Sequence, residues 1–182
     1  MKVVSVNIGA RKVVNWNGKE IETGIYKYPV EKAIFLDIED VKDDVVIDRK
    51  YHGGVDQAVY AYSEDHYSFW KELYPELDWH FGMFGENLTI SNLEETTIHV
   101  GDTYKVGEVI LEVTKPRQPC MKLGLVFGTQ KILKQFWNSS KSGVYFKVLQ
   151  TGSVCKDDEL TLLNKKKESL TIAEVYETKK AT

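Results

Sequence analysis

The sequence predicts a mainly β fold, a barrel or sandwich with a few peripheral helices, on three observations. Short β-rich runs alternate with turn residues at close intervals, as at 97–100, Gly101-Asp102, 104–106, Gly107 and 108–114. That spacing is too tight for repeated parallel β-α-β units. Only two stretches space their apolar residues like a helix between cap and stop signals, and 42% apolar with 12% aromatic residues in a 182-residue chain is enough for one sizeable core.

Taken in order, residues 2–8 form a β-rich run ended by Gly9, and 11–16 and 20–26 flank Asn17-Gly18. Both turn residues tolerate positive φ, so the pair predicts a hairpin. Pro29 breaks the chain before a strand at 32–36 and an acidic stretch at 37–44 that reads as a solvated loop. The donor-rich segment Asp48-Arg-Lys-Tyr-His-Gly-Gly54 precedes a strand at 58–62. Ser63 then offers an N-cap for a helix carrying Tyr67, Trp70 and Leu73, stopped by Pro75. A glycine-marked turn at 81–87 runs into a strand reaching Ile90. Thr129 caps a second helix with Ile132, Leu133, Phe136 and Trp137 on one face. Strands follow at 143–149 and 159–163, and the reading divides the chain into a domain at 1–164 and a flexible or helical tail at 165–182.

The net charge of −3 gives no general attraction to nucleic acid or anionic lipid, and the tail's five lysines and three glutamates read as solvated. No apolar run is long enough to span a bilayer, and residues 1–6 lack a signal peptide's apolar core, so the expected location is cytoplasmic. The two cysteines, Cys120 and Cys155, have neither zinc-knuckle spacing nor a disulfide framework and are expected to be reduced.

Lys115-Pro-Arg-Gln-Pro-Cys120-Met-Lys122 carries the strongest chemical signal. Pro116 and Pro119 bias their neighbours out of helix, which holds Cys120 on a defined loop. Lys115, Arg117 and Lys122, with no anion between them, favour the thiolate, the form that attacks electrophiles and binds soft metals. The bland alternative is a small apolar residue with an inert thiol. Arg49, His52, Gly53 and Gly54 offer a guanidinium, an imidazole and backbone donors suited to an anionic ligand. A Cys120 dyad with His52 or His66 is a further possibility of the same residue types. Asn87 in Gly85-Glu-Asn87 can face a heterocycle edge, with Glu86 as a candidate acid or base, while Tyr60 and Tyr62 share a strand face towards pocket or core. Flanking acids oppose thiolate formation at Cys155. His-Gly-Gly without a Gly-x-Ser-x-Gly elbow removes the serine-hydrolase reading.

In series, His52-Gly-Gly with Ala58-Val-Tyr-Ala-Tyr62, Phe84-Gly-Glu-Asn-Leu-Thr89, Gly101-Asp102, Pro116-Arg-Gln-Pro-Cys120-Met-Lys-Leu123 and Gly143-Val-Tyr-Phe146 resemble the MOSC domain family, named for the carboxy-terminal domain of molybdenum cofactor sulfurase. The order matches its small stand-alone, YiiM-like branch. The resemblance implies a MOSC-type β-barrel with a few peripheral helices, a molybdenum cofactor, and Cys120 as sulfur ligand to the metal or as sulfur carrier. Arg49, His52, Gly53, Gly54, Asn87, Arg117 and Lys122 would then line the pterin and phosphate pocket. The implied activity is reduction of N-hydroxylated compounds such as hydroxylaminopurine-type bases, with electrons from a separate reductase. The alternative is a cofactor carrier or sulfur-delivery module without turnover. Two departures are Val55, where the family often has proline, and a carboxy-terminal helical extension that is short after Tyr176.

Overall fold

A computed structural model describes residues 1–47 and 52–180. In chain order these form β1 (Lys2–Gly9), β2 (Lys12–Trp16), β3 (Lys19–Thr23), β4 (Lys27–Pro29), β5 (Ile34–Leu36), a 3-10 turn (Val55–Gln57), β6 (Val59–Ser63), α1 (His66–Leu73), β7 (Leu88–Ser91), β8 (Thr103–Val106), β9 (Val109–Pro116), α2 (Met121–Val126), α3 (Lys131–Ser139), β10 (Val144–Gln150), β11 (Gly152–Val154), β12 (Leu160–Asn164) and α4 (Ile172–Lys180). Eight strands make one sheet in the order β12-β8-β9-β10-β6-β7-β1-β4, and β5 with β11 and β2 with β3 form two-stranded sheets.

The mainly β expectation holds, but the large sheet is not closed into a barrel. Its edge strands are β12 and β4, which do not pair with each other. The sheet curls until the start of β1 meets the segment before β12, where Val3 N–H donates to the Asp158 carbonyl at 2.9 Å and Lys2 makes one bridge with Glu159. Further along, β4 already occupies the other side of β1 at Asn7–Gly9, so only the first residues of β1 are free to reach across. A handful of bonds there cannot make the continuous ladder that closure needs. The sheet is also mixed: β6 and β7 run parallel, with Ala61 opposite Leu88, and α1 is their crossover. The reading against β-α-β units therefore fails at this one place.

Asn17 and Gly18 both adopt positive φ, at 52° and 77°, and register Trp16 opposite Lys19 as the hairpin signal predicts. The first helix begins later than expected. Ser63 ends β6 with its hydroxyl directed at Asp65, and Asp65 takes the N-cap position of α1. The Thr129 hydroxyl accepts from Lys131 N–H at 3.3 Å as α3 begins. The short helix α2 follows Cys120, where a loop was expected; Gly124 in its middle weakens any helical pattern.

Two apolar clusters hold these elements. An aliphatic one runs under the sheet, including Val3, Leu36, Leu88, Ile90, Leu111 and Phe146, and it takes in Ile172 of α4. An aromatic one packs α1 and α3 against the sheet through Tyr62, Trp70, Phe84 and Phe136, with Tyr62 and Phe84 stacked at 4.2 Å between centroids. Burying these large rings supplies most of the drive for that layer. No helix among the described residues is long and apolar enough to cross a membrane.

Candidate functional site

The end of β9 carries the chain out of the sheet at Pro116, and the extended segment that follows delivers Cys120 as the residue capping α2. On one side of Cys120 is an inner cleft of about 650 Å3 counting its mouth, and its walls include Lys27, Asp44, His52, Tyr60, Asn87 and Arg117. On the other side is an outer cleft bordered by Lys115, Gln118, Met121 and Lys179. Cys120, His52, Gln57, Lys122 and Tyr145 belong to both, so the sulfur sits where the two clefts meet.

The thiol is largely buried, and burial by itself would push its pKa up. That effect is overridden by a hydrogen bond from His52, the charges of Arg117 and His52, and the Lys122 backbone N–H, and the pKa falls from 9.0 to about 6. At neutral pH the sulfur is therefore a thiolate.

Arg117 is only 5% exposed. Its guanidinium donates to the Phe84 carbonyl and lies 4.9 Å from the centre of the Tyr60 ring. The carbonyl and the ring face together hold a buried cation beside the sulfur. Tyr60 is itself buried, donates to the Ser142 carbonyl at 2.8 Å, and borders the cleft, whereas Tyr62 lies wholly in the aromatic core.

Asn87 reaches the inner cleft, yet its amide is already engaged. Its carbonyl oxygen lies 3.4 Å from the Tyr60 N–H that donates to it, and its NH2 donates to Asp44 Oδ2 at 2.9 Å. Asp44 also pairs with Lys27 and accepts from Gly9 N–H at 2.8 Å. This Lys27–Asp44–Asn87 set floors the cleft from three separate segments, and the acidic stretch that reads as solvated contributes a buried carboxylate to it. Gly24 makes the approach feasible: a Cβ there would lie 1.8 Å from the Val45 carbonyl, so only glycine lets the segment after Asp44 close against β3.

Glu86, a candidate acid or base from sequence, is fully buried. It accepts from Tyr67 Oη–H, from Gly82 N–H at 2.8 Å, from Phe84 N–H at 3.1 Å and from Thr89 Oγ1–H at 3.0 Å. Burial raises its pKa while these donors lower it. Every oxygen is committed to shaping the 82–87 turn, and Glu86 does not line either cleft.

Of the other expected residues, His52 and Gly53 line the inner cleft, Gly53 with φ 78°. Gly54 turns away and caps the 3-10 turn, with its N–H on the Glu39 carbonyl. Arg49 lies outside the described residues. His66, the other dyad candidate, lines neither cleft; its ring contacts both oxygens of Glu95, at 3.0 and 2.9 Å, and Glu95 accepts from Gly143 N–H. Cys155 directs its thiol at Asp158 Oδ1, 3.4 Å away, which raises its pKa. Lys27, Asp44, Tyr145, Lys115 and Lys179 were not singled out as site residues. Of these, Lys115 carries a signal as a cation of the thiol loop and Tyr145 as part of Gly143-Val-Tyr-Phe146.

Residues 48–161 match the family model described as MOSC domain. Protein YflK of Bacillus subtilis (strain 168) is 36% identical over 170 residues, which cover 93% of this chain and 76% of YflK. A protein of Gibberella moniliformis named reductase is 38% identical over 151 residues, 81% of this chain and 27% of its own length. The crystal structure of YiiM from Geobacillus stearothermophilus superposes with a TM-score of 0.81 at 31% identity, covering 98% of this chain and 83% of that one.

Proposed function

The chain belongs to the MOSC domain family, and from that premise we propose that it is a molybdenum-cofactor-dependent reductase of N-hydroxylated compounds such as hydroxylaminopurine-type bases. The observation that carries the proposal is the position of Cys120, which lines both clefts beside the buried Arg117 and His52, an arrangement that favours the thiolate.

The lining of the inner cleft fits such a cofactor. A thiolate is a soft ligand suited to a heavy transition metal. Lys27, Arg117 and Lys122 bring positive charge against one lining carboxylate among the described residues, Asp44, whose charge Lys27 already matches. The surplus suits a phosphate-bearing group. Among the described residues no three His, Cys, Asp or Glu side chains gather to hold a metal by themselves. Cys120 would thus supply one ligand to a metal carried by an organic group.

When bound, the cofactor supplies the two-electron chemistry that removes oxygen from nitrogen, the electrons coming from a separate reductase. Cys120 would anchor it, with His52 favouring the thiolate form that such a bond needs. Arg117 and Lys122 balance anionic charge at the two ends of the thiol loop. The Lys27–Asp44–Asn87 floor keeps the cleft polar and open, because each group already has a partner and does not collapse onto another.

Molybdenum analysis of protein purified from a host that makes the cofactor, followed by a hydroxylaminopurine assay with a reductase, tests the proposal. Stoichiometric metal and turnover are expected. Bound molybdenum with no reduction across several electron donors would make the chain a carrier, and protein without molybdenum would overturn both readings.

A further inference from the structure

The two clefts differ in what their polar side chains are bonded to. In the inner cleft Lys27 and Asn87 are both tied to Asp44. The outer cleft holds two carboxamides, Gln57 and Gln118, and neither side chain hydrogen-bonds another described residue. The chain's other three glutamines, Gln130, Gln135 and Gln150, each make a side-chain hydrogen bond. Gln57 is half-buried, a setting in which a carboxamide ordinarily has a partner.

Both carboxamides stand on fixed backbone. The Thr114 hydroxyl lies 2.7 Å from the Asp56 carbonyl and 3.0 Å from the Tyr145 carbonyl, so one side chain of β9 ties the 3-10 turn carrying Gln57 to β10. Gln118 stands between Pro116 and Pro119, next to the anchored Arg117. Successive side chains of an extended segment point to opposite sides, and here Arg117 lines only the inner cleft and Gln118 only the outer. Apolar surface completes the cleft: Met121 is exposed, and the Tyr145 ring is braced 5.0 Å from the Tyr60 ring. A carboxamide presents one acceptor and two donors in a plane, which matches the polar edge of a nucleobase, while thioether and aromatic groups pack on its faces.

We propose that the outer cleft is the substrate subsite and takes a purine-type base, its edge read by Gln57 and Gln118 and its face laid against Met121 and Tyr145. The N-hydroxyl group would then be directed at Cys120, where the outer cleft meets the inner one. This rests on the reductase reading for the chemistry, but the base site is testable without it. Gln118 borders the outer cleft alone, so substituting it spares the inner one.

The test titrates the purified full chain by calorimetry with adenine and with benzimidazole, which keeps the bicyclic shape but has no polar atom on its six-membered ring. Adenine is expected to bind the wild type about tenfold more tightly than benzimidazole. A Gln118→Leu variant whose melting curve shows it folded should lose most of that preference, and Gln57→Leu/Gln118→Leu all of it, with benzimidazole affinity kept within about twofold. Equal binding of the two ligands to the wild type, or a preference that survives in both variants, would overturn the inference whether or not the wild type holds molybdenum. Adenine binding confined to cofactor-free protein, or a Gln118→Leu variant that loses molybdenum in step with adenine affinity, would also overturn it, since the glutamines would then serve the cofactor's own heterocycle. Wild-type protein without molybdenum would instead remove the reductase reading and leave the calorimetry to decide the base site.

Discussion

Cys120 and Cys155 are the same residue, both partly exposed, and each has a lysine within two positions. Their thiols nevertheless move in opposite directions. Cys120 accepts hydrogen bonds from His52 and the Lys122 backbone beside Arg117, and its pKa falls to about 6. Cys155 donates to Asp158, and that bond, followed by burial and the acid's charge, raises its pKa. The adjacent Lys156 does not reverse this. What decides the outcome is whether the sulfur's partner is a donor or an acceptor, because a donor stabilises the thiolate and a carboxylate stabilises the thiol.

The largest way to break this contrast is Cys120→Ser, which should abolish molybdenum retention and turnover while melting near the wild-type temperature. Cys155→Ser should keep both. An active Cys120→Ser protein would remove Cys120 from the chemistry.

Next in size is Arg117→Met, which strips the charge beside Cys120 and leaves the Phe84 carbonyl without its donor. Denaturant unfolding should show a loss of about 2–3 kcal/mol, the cost of an unmet buried polar group and lost ring packing. An unchanged midpoint would mean that the buried guanidinium stabilises nothing.

His52→Ala removes the first of the effects that lower the Cys120 pKa. The pH midpoint of iodoacetamide labelling at Cys120, near 6 in the wild type, should climb towards 9, and labelling at pH 7 should slow by about tenfold. A midpoint that stays near 6 would assign the depression to Arg117 and the Lys122 backbone N–H.

The same depression predicts how stability follows pH. Because the folded state lowers the thiol pKa, the contribution is fully present above the unfolded value of 9.0 and is lost as pH falls through about 6. Wild-type unfolding free energy should therefore gain more between pH 6 and 9 than that of Cys120→Ser. Parallel curves would contradict the assigned shift. The smallest effect belongs to Asp158→Asn, which should raise Cys155 labelling at pH 8 several-fold by removing the carboxylate that holds its proton.

Much of the fold was legible because it rests on neighbours in sequence. Alternating burial along most of β9, the Asn17-Gly18 hairpin and the apolar face of α3 each follow from a few adjacent side chains. The thiol loop was legible for the same reason: prolines and cations within eight residues act on Cys120 directly. The brief α2 and the three-residue β4 and β11 were harder to read, since elements so short carry little periodicity of their own.

Long-range placement decided the rest. Lys27, Asp44 and Asn87 lie far apart in sequence, and nothing local marks them as partners; the crossing of β1, β4 and β7 brings them to one floor. Glu86 is a candidate acid or base by residue type, and only the fold brings four donors around its carboxylate. Whether the sheet closed was settled by which side of β1 was already occupied, and whether the tail met the site was settled by Ile172 and Tyr176 entering the core. Local pattern sets the conformation of a segment and the charge it carries. Which segments meet depends on burial summed over the whole sheet, and no short stretch of chain encodes that sum.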